Sequence, residues 1–161
     1  MNQKTSKQQL EEKTKKVSRR YNRIFLLRYY LAGLFFMNLY WFLMSALSRH
    51  WEAIIPFSLL IFSGVAYKEQ LKFANSNQDK FFLSKNKLYF SIQRIIMIGL
   101  FVSLFHQGIF NQLFPFFMFN AHLRLILGGV NLLGILLCVF CLRRIKNVSM
   151  NRDKYYLKYE K

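Results

Sequence analysis

The chain has 161 residues, 53% hydrophobic and 18% aromatic, with only 7 Gly and 2 Pro, which excludes a disordered, collagenous or low-complexity polymer. Lys and Arg number 24 against 7 Asp and Glu, a formal charge of +17 that calls for an anionic partner, either nucleic acid or a membrane surface. Where the charges fall along the chain separates the two.

Residues 1–24 are polar and dense in Lys, Gln, Glu and Arg, with Leu10, Val17, Tyr21 and Ile24 as a sparse stripe at helical spacing. They predict a basic juxtamembrane helix that either lies along an anionic leaflet or runs on into the first apolar segment; docking to an acidic partner is the alternative. Tyr29 to Ser48 then gives 20 residues whose only ionisable groups are tyrosines. At about 1.5 Å per residue, roughly 20 helical residues cross the roughly 30 Å hydrocarbon slab with every backbone group bonded internally. The first span is therefore expected near 25–47. It is too long for the apolar core of a cleaved leader, and no small-x-small site follows, so it reads as a permanent anchor.

The turn from Ser48 to Glu52 is so short that the second span, near 51–69, has to return as a hairpin. Its charge-free run, Ala53 to Tyr67, is only 15 residues, a deficit made good by Trp51 at the interface and the long stem of Lys68. Asn75, Ser76, Asn77, Gln78 and Asp79 mark a loop, after which Phe81, Phe82 and Leu83 are expected to dip into the interface. Ile95 to Leu123 runs 29 residues without Asp, Glu, Lys or Arg and predicts a third span near 89–111. An aromatic connection around Pro115, with Phe114, Phe116, Phe117 and Phe119, is expected to lie flat in the outer interface or to re-enter under cover of protein. Leu125 to Leu142 supplies the fourth span, near 124–143. Residues 144–161 form a basic tail in which Ile145, Val148, Tyr155 and Tyr159 share a face. A soluble helical domain would show a polar face recurring every 3.6 residues, and these runs show none.

The basic residues number nine in 1–28, one in 49–52, six in 68–94, one at Arg124 and seven after Leu142. Four spans put 22 on one side and 2 on the other, so the positive-inside rule sets both termini and the central loop in the cytoplasm. Tyr29, Tyr30, Tyr67 and Tyr89 near inner boundaries, and Trp51 near an outer one, suit that topology. The expected fold is all-α: an integral membrane antiparallel four-helix bundle, N-in/C-in, with a transmembrane domain over 25–143 and basic tails over 1–24 and 144–161. The surplus charge belongs to the anionic inner leaflet of a cell membrane. Nucleic acid is not an expected partner, because the cations are spread over three segments without a recognised binding fold.

Polar groups inside spans are the first candidates for function. Gly99, Ser103 and His106 are expected on one face of the third span, the first two as a small-xxx-small packing pair and His106 as a relay, a ligand or an interhelical donor. In the fourth span Gly128, Asn131, Gly134, Cys138 and Cys141 form a stripe of small or polar positions, the expected buried face. Asn131 is expected to pair with Asn38 at mid-membrane depth. Arg94 either snorkels inward or pairs with Glu69. Cys138 and Cys141 spell C-x-x-C, but lacking a second Cys pair or a nearby His they read as packed thiols. No H-E-x-x-H, G-x-S-x-G or Gly-rich phosphate loop occurs, and His50, His106 and His122 are too scattered for a metal site. The expectation is no catalytic residue, no cofactor and no metal.

The stretch RYNRIFLLRYYLAGLFFMNLYW, Arg20 to Trp41, resembles the start of small uncharacterised four-span membrane proteins of low-GC Gram-positive bacteria. Some such proteins carry the label of a phosphotransferase cellobiose subunit IIA. That family is similar to a soluble helical bundle with a phosphorylated histidine, whereas His50, His106 and His122 here fall on the expected outer side, out of reach of a cytoplasmic phosphocarrier. The resemblance implies a bacterial, multi-pass protein and brings no functional motif. The expected role is non-enzymatic: an accessory or regulatory subunit or an immunity-type factor, working through a membrane-protein partner or a homo-oligomer. The alternative is an oligomeric transporter or channel component, which requires a continuous polar track through Asn38, Ser103, His106 and Asn131.

Overall fold

The computed structural model describes residues 2–76, 83–114, 116–117, 120–150 and 152, with backbone only at 2–9, 12, 13, 16, 19 and 20. The expected loop at 77–82, with Phe81 and Phe82, lies outside the described residues, as do Pro115, Phe119, Tyr155 and Tyr159. The described chain is all-helical. Four long helices, α1 (Asn2–Leu47), α2 (Ile54–Asn75), α3 (Ser84–Ser103) and α5 (Ala121–Ser149), are joined by a single 3-10 turn at Trp51–Ala53 and a short helix, α4 (Gln107–Leu113).

No Gly or Pro interrupts the first 32 residues, so the basic segment and the first apolar segment propagate as one helix of 46 residues, about 69 Å at 1.5 Å per residue. Of the two expected courses for the basic segment, the structure takes the continuation. α1 stops at an abrupt turn: Arg49 adopts φ 53, the left-handed conformation of a helix C-cap, while Arg49 N donates to Ala46 O and His50 N to Ser45 O. Pro56 sits in the first turn of α2, where its missing N–H costs no helical bond.

Burial follows a heptad rhythm. On α1 positions 24, 27, 31, 34, 38, 41 and 45 are buried, with Arg23 beside the first of them; on α5 the buried positions are 131, 134, 138, 141, 145 and 148. Alternating steps of three and four residues give the 3.5 repeat of coiled-coil seams, the geometry of shallowly crossing helices. α1 packs along α2, α2 against α3, α3 along α5, and α5 returns to α1. The register is carried by named pairs: Phe42 with Phe57 and Arg28 with Tyr67 between α1 and α2, and Arg23 with Val148 between α1 and α5.

The third apolar run departs from expectation. In place of a helix over 89–111, α3 spans Ser84–Ser103 and the chain turns through three successive i→i−3 bonds, from Leu104, Phe105 and His106, before α4 begins. Tertiary contact wins over the apolar pattern here. Trp41 Nε1 donates to Leu113 O at 3.2 Å, its ring stacks on Phe114 at 6.0 Å, and Phe110 is fully buried, so α4 folds back over one end of the helices. α5 also overshoots its expected end by two turns, because Ile145 and Val148 continue its buried stripe.

Two stretches, Tyr21–Leu47 and Ala121–Ser149, are long and apolar enough to cross a membrane. Only 28% and 22% of their most apolar windows is buried, whereas the core helix of a soluble protein is mostly buried. α2 and α3 fall short of that length-and-composition test. Lys68, Glu69 and Lys72 occupy the last turns of α2, Lys85 and Lys87 the first turn of α3, and Arg94 its middle.

Candidate functional site: a polar seam and a basic groove

α3 presents Asn86, Tyr89 and Gln93 on one face by steps of three and four, and all three are at most 2% exposed. Each meets a polar partner from a neighbouring helix. Asn38 Nδ2, on α1, donates to Gln93 Oε1 at 3.1 Å and to Tyr89 Oη at 3.5 Å. One turn or two further along, Gln70 Nε2 on α2 donates to Asn86 Oδ1 at 2.7 Å, and Asn86 Nδ2 donates to Ala66 O and to Glu69 Oε2. The seam is a stack of two amide layers that ties α1 and α2 to α3.

Glu69 completes the second layer by an unusual route. α3 begins after Leu83, a residue with no side-chain capping group, so its first amides lack a local acceptor. The Glu69 carboxylate supplies it from α2, accepting from Lys85 N at 3.0 Å and Asn86 N at 2.8 Å. An anion at a helix N-terminus also meets the positive end of the helix dipole. Of the two expectations for Arg94, the ion pair with Glu69 is thus not formed: the carboxylate is committed to the end of α3.

The other singled-out residues fall as follows. Asn131 is buried on α5 but donates to Leu127 O of its own helix at 3.0 Å, so the expected Asn38–Asn131 pair does not form; Gln93 and Tyr89 intervene as nearer partners. Gly134 is the close-packing glycine, since a Cβ there would lie 2.6 Å from Met97 Sδ. Gly99, expected in that role, is exposed and would meet nothing within 4 Å. Ser103 is buried and its hydroxyl donates to Leu100 O at 2.6 Å, one turn back. His106 lies beyond the end of α3, exposed, as the residue preceding α4, and so leaves the face of Gly99 and Ser103. Cys138 and Cys141 are free thiols buried in the α5 stripe. Tyr89, expected at headgroup level, is 1% exposed and belongs to the interior.

The polar track through Asn38, Ser103, His106 and Asn131 is therefore not assembled. Two of its members close on their own helices, one points outward, and Asn38 is engaged by Gln93 and Tyr89. Among the described residues no group of three or more His, Cys, Asp or Glu comes together to hold a metal ion.

Gln70, Asn86 and Gln93 are not marked by the charge-free runs, since all three lie outside or at the edge of them. The signal was present as a heptad: Asn86, Tyr89, Gln93 and Met97 repeat at three and four on α3.

A second feature lies between α3 and the last turns of α5. Lys87 and Arg94 on α3 and Arg143 and Lys146 on α5 line a groove of about 710 Å³, with Ser84, Ser91 and Ser149 as hydroxyls and Leu83, Val139, Leu142 and Ile145 among its apolar walls. Among the described residues none of the four cations has a carboxylate within ion-pair distance. The charge that the sequence spread over two segments is here gathered in one place.

No family model, curated protein or solved structure matches the chain. The class that the fold defines is an all-helical protein with two helices able to cross a membrane.

Proposed function

We propose that the protein is a four-span integral membrane protein of the cell membrane, an antiparallel four-helix bundle with both termini cytoplasmic, and that it acts through protein contacts without catalysing a reaction. One observation carries the reading: the long helices bury amide side chains within their apolar core and turn many further large hydrocarbon side chains outward. Asn38, Gln70, Asn86 and Gln93 are 0 to 3% exposed, while Phe36, Ile61, Ile95 and Leu136 are 57 to 64% exposed. That distribution is costly in water, where exposed apolar patches of this extent drive association, and natural in lipid, where buried amides join helices. The pairs Phe42–Phe57, Arg28–Tyr67 and Arg23–Val148 support antiparallel neighbours. The 22-to-2 split of basic residues supports the orientation.

α2 and α3 cross in this reading although each carries charge at one end. Lys68, Lys72, Lys85 and Lys87 have stems long enough to reach headgroups, and the Glu69 carboxylate is satisfied by α3 amides. An accessory subunit or immunity-type factor needs only a stable surface, and the seam supplies rigidity without a pathway. Alkaline phosphatase fused to either terminus is expected to be inactive and green fluorescent protein fused there to fluoresce; phosphatase activity at either end overturns the topology. Purification of the tagged chain from native membranes in mild detergent is expected to return a stoichiometric membrane-protein partner or a defined homo-oligomer. Repeated recovery of the chain as a solitary monomer, with crosslinking also blank, overturns the contact role.

A further inference from the structure

We infer that the groove between α3 and α5 is a binding site for the phosphate of an anionic phospholipid, an inference that rests on the membrane reading above. Lys87, Ser91 and Arg94 recur on α3 at steps of four and three, and Arg143 and Lys146 face them from α5. Four cations converging without a carboxylate repel one another, and a multivalent acceptor between them removes that repulsion while forming charge-assisted hydrogen bonds. Glu69, the acid packed against α3, faces its other flank, where it holds Lys85 N and Asn86 N. Among the described residues no carboxylate lies within ion-pair distance of the groove cations.

The depth of the groove selects a lipid over a free anion. Lys87 and Arg94 are two turns apart on α3, roughly 10 Å along the axis, so the cations form a column that runs from the exposed Lys87 to the half-buried Arg94. Leu142, Val139 and the largely buried Ile145 and Leu83 line the groove as apolar wall beside that column. A phosphate seated by Arg94 and Arg143 leaves its acyl chains against hydrocarbon side chains, while a soluble phosphate would leave the walls uncovered. The guanidinium groups suit the phosphate by their bidentate geometry, and the exposed Lys87 and Lys146 add point charges at the mouth. The volume, about 710 Å³, is that of a ligand pocket and exceeds what one phosphate fills.

The test counts lipids retained by the detergent-purified full chain in native mass spectrometry after addition of phosphatidylglycerol or phosphatidylcholine. The expected result is one phosphatidylglycerol retained in preference to phosphatidylcholine, resisting millimolar inorganic phosphate. Each cation removed is expected to weaken retention about 5-fold, so Arg94→Gln with Arg143→Gln weakens it about 25-fold. Lys72→Gln, an exposed cation of α2 outside the groove, is expected to change it less than 2-fold. Lys87→Gln with Lys146→Gln repeats the test with exposed side chains whose loss leaves the helices intact. Equal retention of both lipids, displacement by inorganic phosphate, or equal weakening by Lys72→Gln overturns the site. These failures are distinct from failure of the membrane reading, which would show as a chain that remains monodisperse in buffer without detergent.

Discussion

At the scale of single residues, the seam separates side chains that were equivalent in the sequence. Asn38 and Asn131 are both buried amides, yet only Asn38 reaches another helix. Asn38→Leu is expected to destabilise the detergent-solubilised protein by about 1 kcal/mol, the usual worth of an interhelical hydrogen bond in a membrane. A double-mutant cycle of Asn38→Leu with Gln93→Leu should show coupling, and a cycle with Asn131→Leu should show none. The glycines divide in the same way. Gly134→Leu forces a side chain into space held by Met97, at an expected cost of about 1–3 kcal/mol, whereas Gly99→Leu enters open space and should leave thermal stability unchanged. Both pairs of outcomes are read from thermal unfolding followed by circular dichroism. Sequence spacing could not tell these partners apart: it fixes which residues share a face and says nothing of which neighbour lies opposite.

At the scale of elements, two helix ends carry the tertiary organisation. α3 is started by a carboxylate borrowed from α2, so Glu69→Ala removes a cap as well as the second amide layer's acceptor. The expected cost is about 1–2 kcal/mol, with hydrogen exchange speeding at the amides of Lys85 and Asn86 while the Trp41 end of the fold stays protected. α1 ends on Arg49 in a conformation that glycine adopts without strain. Arg49→Gly is expected to raise the melting temperature, since relief of a left-handed non-glycine residue is worth about 1 kcal/mol. The existence and order of the long apolar helices were legible because charge-free runs are a strong, local signal. The break at Ser103 was not: no Asp, Glu, Lys, Arg or Pro lies between Ile95 and Leu113, His106, Gln107 and Gly108 fit a span end as well as a turn, and the chain turns because Phe110 and Phe114 find Trp41, a contact between residues some 70 positions apart. Arg94 and Arg143 were equally opaque as a pair, since only the alignment of α3 with α5 brings their cations to one groove.

At the scale of the whole molecule, apolar side chains are both inside and outside. Leu27, Phe73, Phe90 and Phe110 are buried alongside the amide seam, and further Phe, Leu and Ile side chains cover the outside of α1, α2, α3 and α5. Solubility should therefore follow the amphiphile: below the critical micelle concentration of its detergent the protein is expected to aggregate, measured as a void-volume peak on size exclusion. The alternation of three and four on α5 was legible as a stripe of small and polar positions, and Asn131, Gly134, Cys138 and Cys141 are buried on it; the matching stripe on α1 is mostly apolar and is marked by a single amide, Asn38. α1 adds a mechanical property to this body. From Tyr21 onward it belongs to the bundle, and the residues before it extend the same helix with no glycine or proline at the junction. At about 1.5 Å per residue, the residues before Tyr21 add roughly 28 Å of continuous helix, so a probe fixed near Gln3 is expected to follow every tilt of the bundle instead of tumbling on a tether. The basic arm is a pointer: what grips its tip also holds, with leverage, the angle at which the other helices stand.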